Sequence, residues 1–158
     1  DMDDITILID SREQKPFLFK NSIESKLDFG DYMATDEYFS KTSVDRKSLG
    51  DFKGTMGKGI GRFRKELDRA KKFGYYLFMV VEANIDQIKE DDARTQNRGN
   101  LSFIFHNLRG LLIDYSDNFQ VVFCDSREHA RLTTQEILYK GEDLHGCDLQ
   151  YFINEEGS

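Results

Sequence analysis

The sequence predicts an α/β fold, a mixed β-sheet flanked by helices, and three observations predict it. Short apolar runs bounded by turn residues alternate with longer stretches whose apolar residues recur at helical spacing. Hydrophobic residues make up 39% and aromatics 13% of the 158 residues, enough for one substantial core. One proline, Pro16, and no Pro/Gly/Ser-rich linker leave no point at which the chain divides in two.

The elements follow in order. Ile5 to Asp10 reads as a buried strand and Gln14 to Asn21 as a loop around Pro16. Lys26 to Phe29 leads into Gly30. Asp31 to Thr35 then reads as a second strand and Tyr38 to Lys47, rich in Ser, Thr and Val, as a third. A turn near Asp36-Glu37 joins these two as a hairpin-like pair. Ser48-Leu49-Gly50-Asp51 has capping-box spacing and starts a short helix. Gly54, Gly57, Gly59 and Gly61 break the chain next and read as a flexible connector able to approach a ligand closely. They match neither the P-loop nor the dinucleotide-binding pattern.

Ile60 to Phe73 is a strong helix, with Ile60, Phe63, Leu67 and Ala70 on one face. Arg62, Lys65, Arg69 and Lys72 repeat that spacing two residues on, about 200° around the axis. Tyr75 to Val81 is the most hydrophobic stretch and predicts a central strand, with Glu82 at its end. Asn84 to Gly99, polar and charged, reads as a mobile loop. Leu101, Ile104, Phe105, Leu108, Leu111, Leu112 and Tyr115 mark an amphipathic helix. Phe119 to Cys124 reads as a strand and Arg127 to Tyr139 as the last helix. Residues 1–140 are thus expected to form one domain, followed by an acidic, partly disordered tail over 141–158.

Composition narrows the function. No apolar run approaches the about 18 residues a membrane span needs, and the acidic N-terminus is unlike a signal peptide. Two cysteines, Cys124 and Cys147, point to a reducing compartment, cytoplasmic or, in a eukaryote, nuclear. Three scattered histidines and two cysteines do not make a zinc site. The net charge of −7 argues against indiscriminate nucleic-acid binding, but the charge is uneven. Residues 53–72 hold eight Lys or Arg against Glu66 and Asp68, eight minus two, a local +6. A basic patch on an acidic protein suits selective contact with phosphates.

The chemistry lies in three acidic segments: Ile9-Asp10-Ser11-Arg12-Glu13, Gly30-Asp31-Tyr32 and Val44-Asp45-Arg46-Lys47-Ser48-Leu49-Gly50-Asp51. Side chains alternate along a strand, so Asp45 and Lys47 share one face and Arg46 takes the other. Two acids and a lysine on one side of a sheet can hold a hard cation beside an activated water, which makes the chain a candidate phosphodiesterase. Taken singly, each residue has a plainer reading: Asp31 as a turn carboxylate, and Asp45 with Lys47 as a surface ion pair.

Asp31 followed by Asp45-x-Lys47 resembles the metal motif of the PD-(D/E)xK nuclease superfamily, whose fold is restriction-endonuclease-like. With Asp10-Ser11-Arg12-Glu13, Asp45-Arg46-Lys47-x3-Asp51 and Gly61-Arg62-Phe63 with Glu66, the string resembles the nuclease domain of the XPF family of structure-specific endonucleases over roughly residues 5–139. Two positions depart from that family: Asp45 stands where it usually has glutamate, and Glu66 where it usually has glutamine.

The resemblance implies a divalent-metal-dependent DNA endonuclease acting on flaps, forks or junctions in repair or recombination. Mg²⁺ is the implied metal, with Mn²⁺ as a substitute. Asp31 and Asp45 are the implied ligands, joined by the carbonyl of Arg46, and Lys47 orients or activates the attacking water. Asp51 is implied as catalytic, although a helix cap is sufficient work for it. Asp10 and Glu13 support the metal, hold a second one, or are merely solvated. Arg12 binds phosphate or pairs with an acid. Lys58, Arg62, Lys65, Arg69 and Lys72 contact DNA or remain solvated. The family also implies a homodimer or heterodimer through the later helices, and no membrane. Two other readings compete: a catalytically inactive module that binds DNA or a partner, and a phage or restriction-type nuclease without branch specificity.

Overall fold

The structure, a computed structural model, describes residues 1–95 and 100–155. A six-stranded mixed sheet forms its centre: β1 (Thr6–Asp10), β2 (Asn21–Ser25), β3 (Tyr32–Ala34), β4 (Thr42–Lys47), β5 (Tyr76–Val81) and β6 (Phe119–Phe123). Their order across the sheet is β2-β1-β3-β4-β5-β6. β3 runs antiparallel to both β1 and β4, whereas β1–β2, β4–β5 and β5–β6 are parallel. The helices are α1 (Leu49–Met56), α2 (Ile60–Lys72), α3 (Ile85–Thr95), α4 (Asn100–Asp114), α5 (Arg127–Lys140) and α6 (Leu149–Glu155).

Alternation along β5 divides the core. Tyr76, Phe78 and Val80 face a cluster completed by Ile7, Tyr32, Val44, Val122 and the α5 residues Ala130, Ile137 and Leu138. Leu77, Met79 and Val81 face the opposite cluster, built from Phe52 and Met56 of α1, Phe63 and Leu67 of α2, and Ile104, Leu108 and Leu111 of α4. Every β5 residue is therefore buried, which is why this stretch reads as a continuous apolar run rather than an alternating one. On β4 the same alternation sends Val44 into the α5 side. Asp45 and Lys47 belong to the other side, where α1 and α2 lie.

Four sequence expectations need correction. The loop read over Asn84 to Gly99 contains α3; residues 96–99 lie outside the described residues. α3 buries only Ile88 and Asp92, so its helical signal is weak. Its start is a reciprocal cap: the Asn84 amide donates to Gln87 Oε1 and the Gln87 amide to Asn84 Oδ1, each at 2.8 Å. The loop read over Gln14 to Asn21 ends in β2, a polar edge strand with Ile23 exposed, whose remaining residues the sequence pattern leaves unassigned. Gly54 and Gly61 lie inside α1 and α2, so the connector is only Gly57 to Gly59. The helix α5 is not the last, because α6 follows it.

Within the stretch read as an acidic tail, Gly141–Leu144 forms a 3-10 turn, and Leu144 and Leu149 are buried against the α5-side core. Gln150 of α6 reaches the outer edge of β6. Its Oε1 accepts from the Phe123 amide at 2.6 Å and its Nε2 donates to the Phe123 carbonyl at 3.1 Å. Among the described residues no helix is long and apolar enough to cross a membrane.

Candidate functional site

The site is a row of acids across three neighbouring strands. Ile9 pairs with Tyr32 and Tyr32 with Val44, so one step along each ladder Asp10, Asp31 and Asp45 lie side by side. Backbone bonds hold the row: the Asp10 amide donates to the Asp31 carbonyl at 2.8 Å and the Asp31 amide to the Val44 carbonyl at 2.7 Å. Gly30 makes the row possible. It has φ +66°, and a Cβ there would stand 2.1 Å from Ser43 Oγ and 2.8 Å from the Val44 carbonyl, so no side chain fits beside β4 at this point.

Asp31 and Asp45 are neighbouring carboxyl groups, and the charge of one disfavours the charge of the other. Burial, and then the neighbouring Asp45 carboxylate, push the Asp31 carboxyl up to about 8. The amide of Arg46 donates to Asp31 Oδ2 at 2.8 Å and fixes the carboxylate's orientation. Asp45 is only 7% exposed, and its Oδ2 is buried without a hydrogen-bond partner. Lys47 Nζ stands 3.4 Å from that oxygen, an ion-pair distance without hydrogen-bond geometry. Burial opposes the Lys47 charge, but Asp45 and Asp31 outweigh it and hold the ammonium above its ordinary value.

Glu66 of α2 hangs over this group and was not predicted as a site residue. Burial, and then the charge of Asp45, raise its carboxyl, with Lys47 and Arg69 opposing. It lines two adjoining cavities, one of about 450 Å³ with Asp31 and Asp45 and one of about 440 Å³ with Lys47 and Lys58. Its place in the Arg62-to-Arg69 stretch was the available signal. On the helical wheel Glu66 lies about 40° beyond Arg62, at the edge of the basic stripe, so it borders whatever the stripe faces.

The outer residues separate by partner. Asp10 is buried; it accepts from Arg12 through both oxygens and from the Leu27 amide at 2.8 Å. Its carboxyl is held low despite burial, chiefly by Arg12. Arg12 thus pairs with an acid while still lining the larger cavity. Glu13 is engaged by Arg46 through two bonds of 3.0 Å, and Arg46 also donates to Glu82 at 2.9 Å. That places the Arg46 guanidinium in an ion triad rather than at the acid row. Asp51 is exposed in the first turn of α1, where its amide donates to Ser48 Oγ at 3.2 Å. It lines a further cavity of about 500 Å³ that includes Asp45 and Lys47.

The cations of α2 also divide. Arg64 pairs with Asp114 and Lys71 with Asp117. Among the described residues Arg62, Lys65 and Arg69 form no salt bridge, and all three line the cavity over Asp31 and Asp45. Lys72 lies farther off, its Nζ 5.9 Å from the Phe73 ring.

The donors suit a hard divalent cation: an orphaned buried carboxylate oxygen beside a second carboxylate whose charge is disfavoured without a counterion. Among the described residues no three His, Cys, Asp or Glu side chains are grouped to hold a metal, so main-chain oxygen and water must complete any coordination.

A melting experiment tests this. In EDTA the protein should lose stability as pH rises from about 5 to 8. Asp31, ordinarily at 3.8, keeps its proton in the folded state across that window and has lost it in the unfolded state. His145, lowered by burial, has the opposite slope below about pH 6.5. Asp31→Asn therefore serves as the control and should flatten the decline. Mg²⁺ or Mn²⁺ at a hundredfold excess over Kd should add about 2.7 kcal/mol. Asp45→Asn should lose most of that gain and melt above wild type in EDTA. An equal metal-induced shift in both proteins would place the ion elsewhere.

No protein-family model matches the sequence, and no curated protein matches it. Solved structures do. XPF from Aeropyrum pernix superposes with a TM-score of 0.63 at 20% identity, over 85% of this chain and 60% of that one. XPF from Aeropyrum pernix in complex with DNA gives 0.61 at 19% identity, over 86% and 64%. The chain thus spans less than two thirds of the length of these XPF chains. Across the shared part the chain has the fold of XPF, the mixed sheet with flanking helices that its sequence predicts.

Proposed function

We propose that the chain is a divalent-metal-dependent endonuclease domain that hydrolyses phosphodiester bonds in branched DNA. The observation that carries this reading is Asp31, Asp45 and Lys47 on one sheet face, under a mouth lined by the cations Arg62, Lys65 and Arg69. Asp31, Asp45 and the Arg46 carbonyl would hold Mg²⁺, or Mn²⁺ in its place. The ion would supply electrostatic stabilisation of charge developing on the phosphate. Lys47 keeps its proton at neutral pH, so it orients the water and offsets phosphate charge rather than abstracting a proton. Asp10 and Arg12 fix the end of the acid row, and Asp51 lies where it can meet the entering water from the α1 side. Lys58, Arg62, Lys65 and Arg69 track the backbone, with Lys72 at the far end of the stripe.

Incubation with labelled duplex, flap, fork and four-way DNAs in Mg²⁺ or Mn²⁺ tests the reading. Branched substrates should be cut faster than duplex. Equal cutting would favour a restriction-type or phage nuclease. DNA binding without any cutting would select the inactive module. In binding assays, Arg62→Ala and Lys65→Ala should each reduce the salt slope by roughly one unit without sequence preference. An unchanged slope would make the stripe solvated surface. The exposed Phe103 and Ile113 of α4 and Tyr151 and Phe152 of α6 are the faces a second subunit would use.

A further inference from the structure

Next to the acid row is a second cavity, of about 490 Å³, lined by Asp28, Phe29, Lys41, Arg69, Phe73 and Tyr75. It shares Asp28 and Arg69 with the cavity over Asp31 and Asp45, so the two adjoin. Its aromatic residues form one contiguous group. The Phe29 ring is buried, with its centroid 4.7 Å from Tyr75 and 6.1 Å from Phe73. Phe73 is 52% exposed, so its ring is open to a ligand at the cavity mouth. It is held there firmly. Phe73 caps α2, its amide donates to the Arg69 carbonyl, and Gly74 turns the chain at φ +79°. Lys41 Nζ donates to the Phe73 carbonyl at 3.0 Å.

Cations frame the rings. Arg69 lies 5.0 Å from the Phe29 centroid and Lys41 Nζ 5.7 Å from that of Tyr75. Aromatic faces interleaved with phosphate-seeking cations make a stacking site for a base that has left its duplex. Asp28, on the shared rim, is an acceptor suited to the exocyclic amine of a base. A purely apolar partner would have no use for Lys41, Arg69 and Asp28, and a bare phosphate none for the rings.

We propose that this cavity receives an unpaired nucleobase of the DNA strand next to the phosphate seated over Asp31 and Asp45. The proposal rests on the nuclease reading for its register relative to the cut, and it supplies a physical source for branch preference. Only DNA with an unstacked base at a flap or fork can fill the cavity without the cost of unpairing.

The test is binding in EDTA, which needs no catalysis. Wild type is titrated against a fluorescent eight-nucleotide single strand of mixed sequence and against the same backbone without bases. Wild type should bind the base-bearing strand at least fivefold tighter. Phe73→Leu, which keeps the apolar bulk and removes the ring, should bring the two affinities together. Phe73→Ala should do the same, with the fold checked by its melting temperature. Arg62→Ala should weaken both strands equally. Equal wild-type affinities, no binding of either strand, or a preference that survives both Phe73 substitutions would overturn the proposal. Cleavage of the DNA panel is read separately. Cutting without base preference leaves the nuclease reading standing and removes this one. Base preference without cutting does the reverse.

Discussion

Replacing Lys47 by alanine should leave a folded protein that still binds DNA but cleaves it about 10²–10³-fold more slowly, the range for loss of one electrostatic stabiliser in an active site. Among the described residues Lys47 Nζ is the one cation within ion-pair distance of the acid row's Asp45. Its side chain is 20% exposed, so solvent does not replace it readily. DNA binding should persist because Arg62, Lys65 and Arg69 supply the mouth of the cavity independently. Lys47→Arg separates charge from geometry. If only a positive charge were needed, arginine would restore most of the rate; if a compact donor must reach the water, it would not. Single-turnover cleavage with saturating DNA and metal is the measurement. Full activity in Lys47→Ala would remove Lys47 from the mechanism.

The second large effect concerns stability. Arg46→Ala should cost about 3–5 kcal/mol, the range for breaking a buried ion pair from one side. The Arg46, Glu13 and Glu82 side chains are 9%, 6% and 13% exposed. Glu82 keeps a partner in Arg127 at 2.6 Å, so the loss falls on Glu13. In wild type, burial tends to raise Glu13 but Arg46 holds it low. It contributes stability above its ordinary 4.5 that is lost as pH falls through its folded value. Without Arg46, the Glu13 carboxylate loses its main stabilising partner, so the stability gap between wild type and variant should narrow as pH falls. Urea unfolding of both proteins between pH 4 and 8 reads the narrowing. Parallel curves would show that the triad contributes little. Arg46→Met with Glu13→Gln should recover part of the loss, since neither side chain then carries a buried charge.

Much of this site was legible from one rule. Alternation along Val44 to Lys47 placed Asp45 and Lys47 on a common face and Arg46 on the other, and the strand has that arrangement. β5 was legible from its unbroken apolar run, and α2 from a core stripe opposed by a cationic one. What escaped was decided by contacts between distant segments. β2 carries no pattern because an edge strand buries little. α3 was hidden by its charge, although Asn84-x-x-Gln87 announces its cap. Glu66 looked like one acid among cations, and only the packing of α2 against the sheet brings it over Asp45. The Glu13–Arg46–Glu82 triad joins residues up to 69 positions apart, 82 minus 13, which no local periodicity encodes.

The grip of Gln150 on β6 bears on how copies of this molecule meet. β6 is an outer strand, and an outer strand ordinarily invites another strand to add to it. Gln150 answers the outward amide and carbonyl of Phe123 with its own side-chain amide, as a neighbouring strand would. Growth of the sheet across a subunit boundary is blocked at that point while α6 stays docked. Association by strand addition at Phe123 therefore requires α6 to leave, and a chain cut before Leu149 would regain a sticky border there.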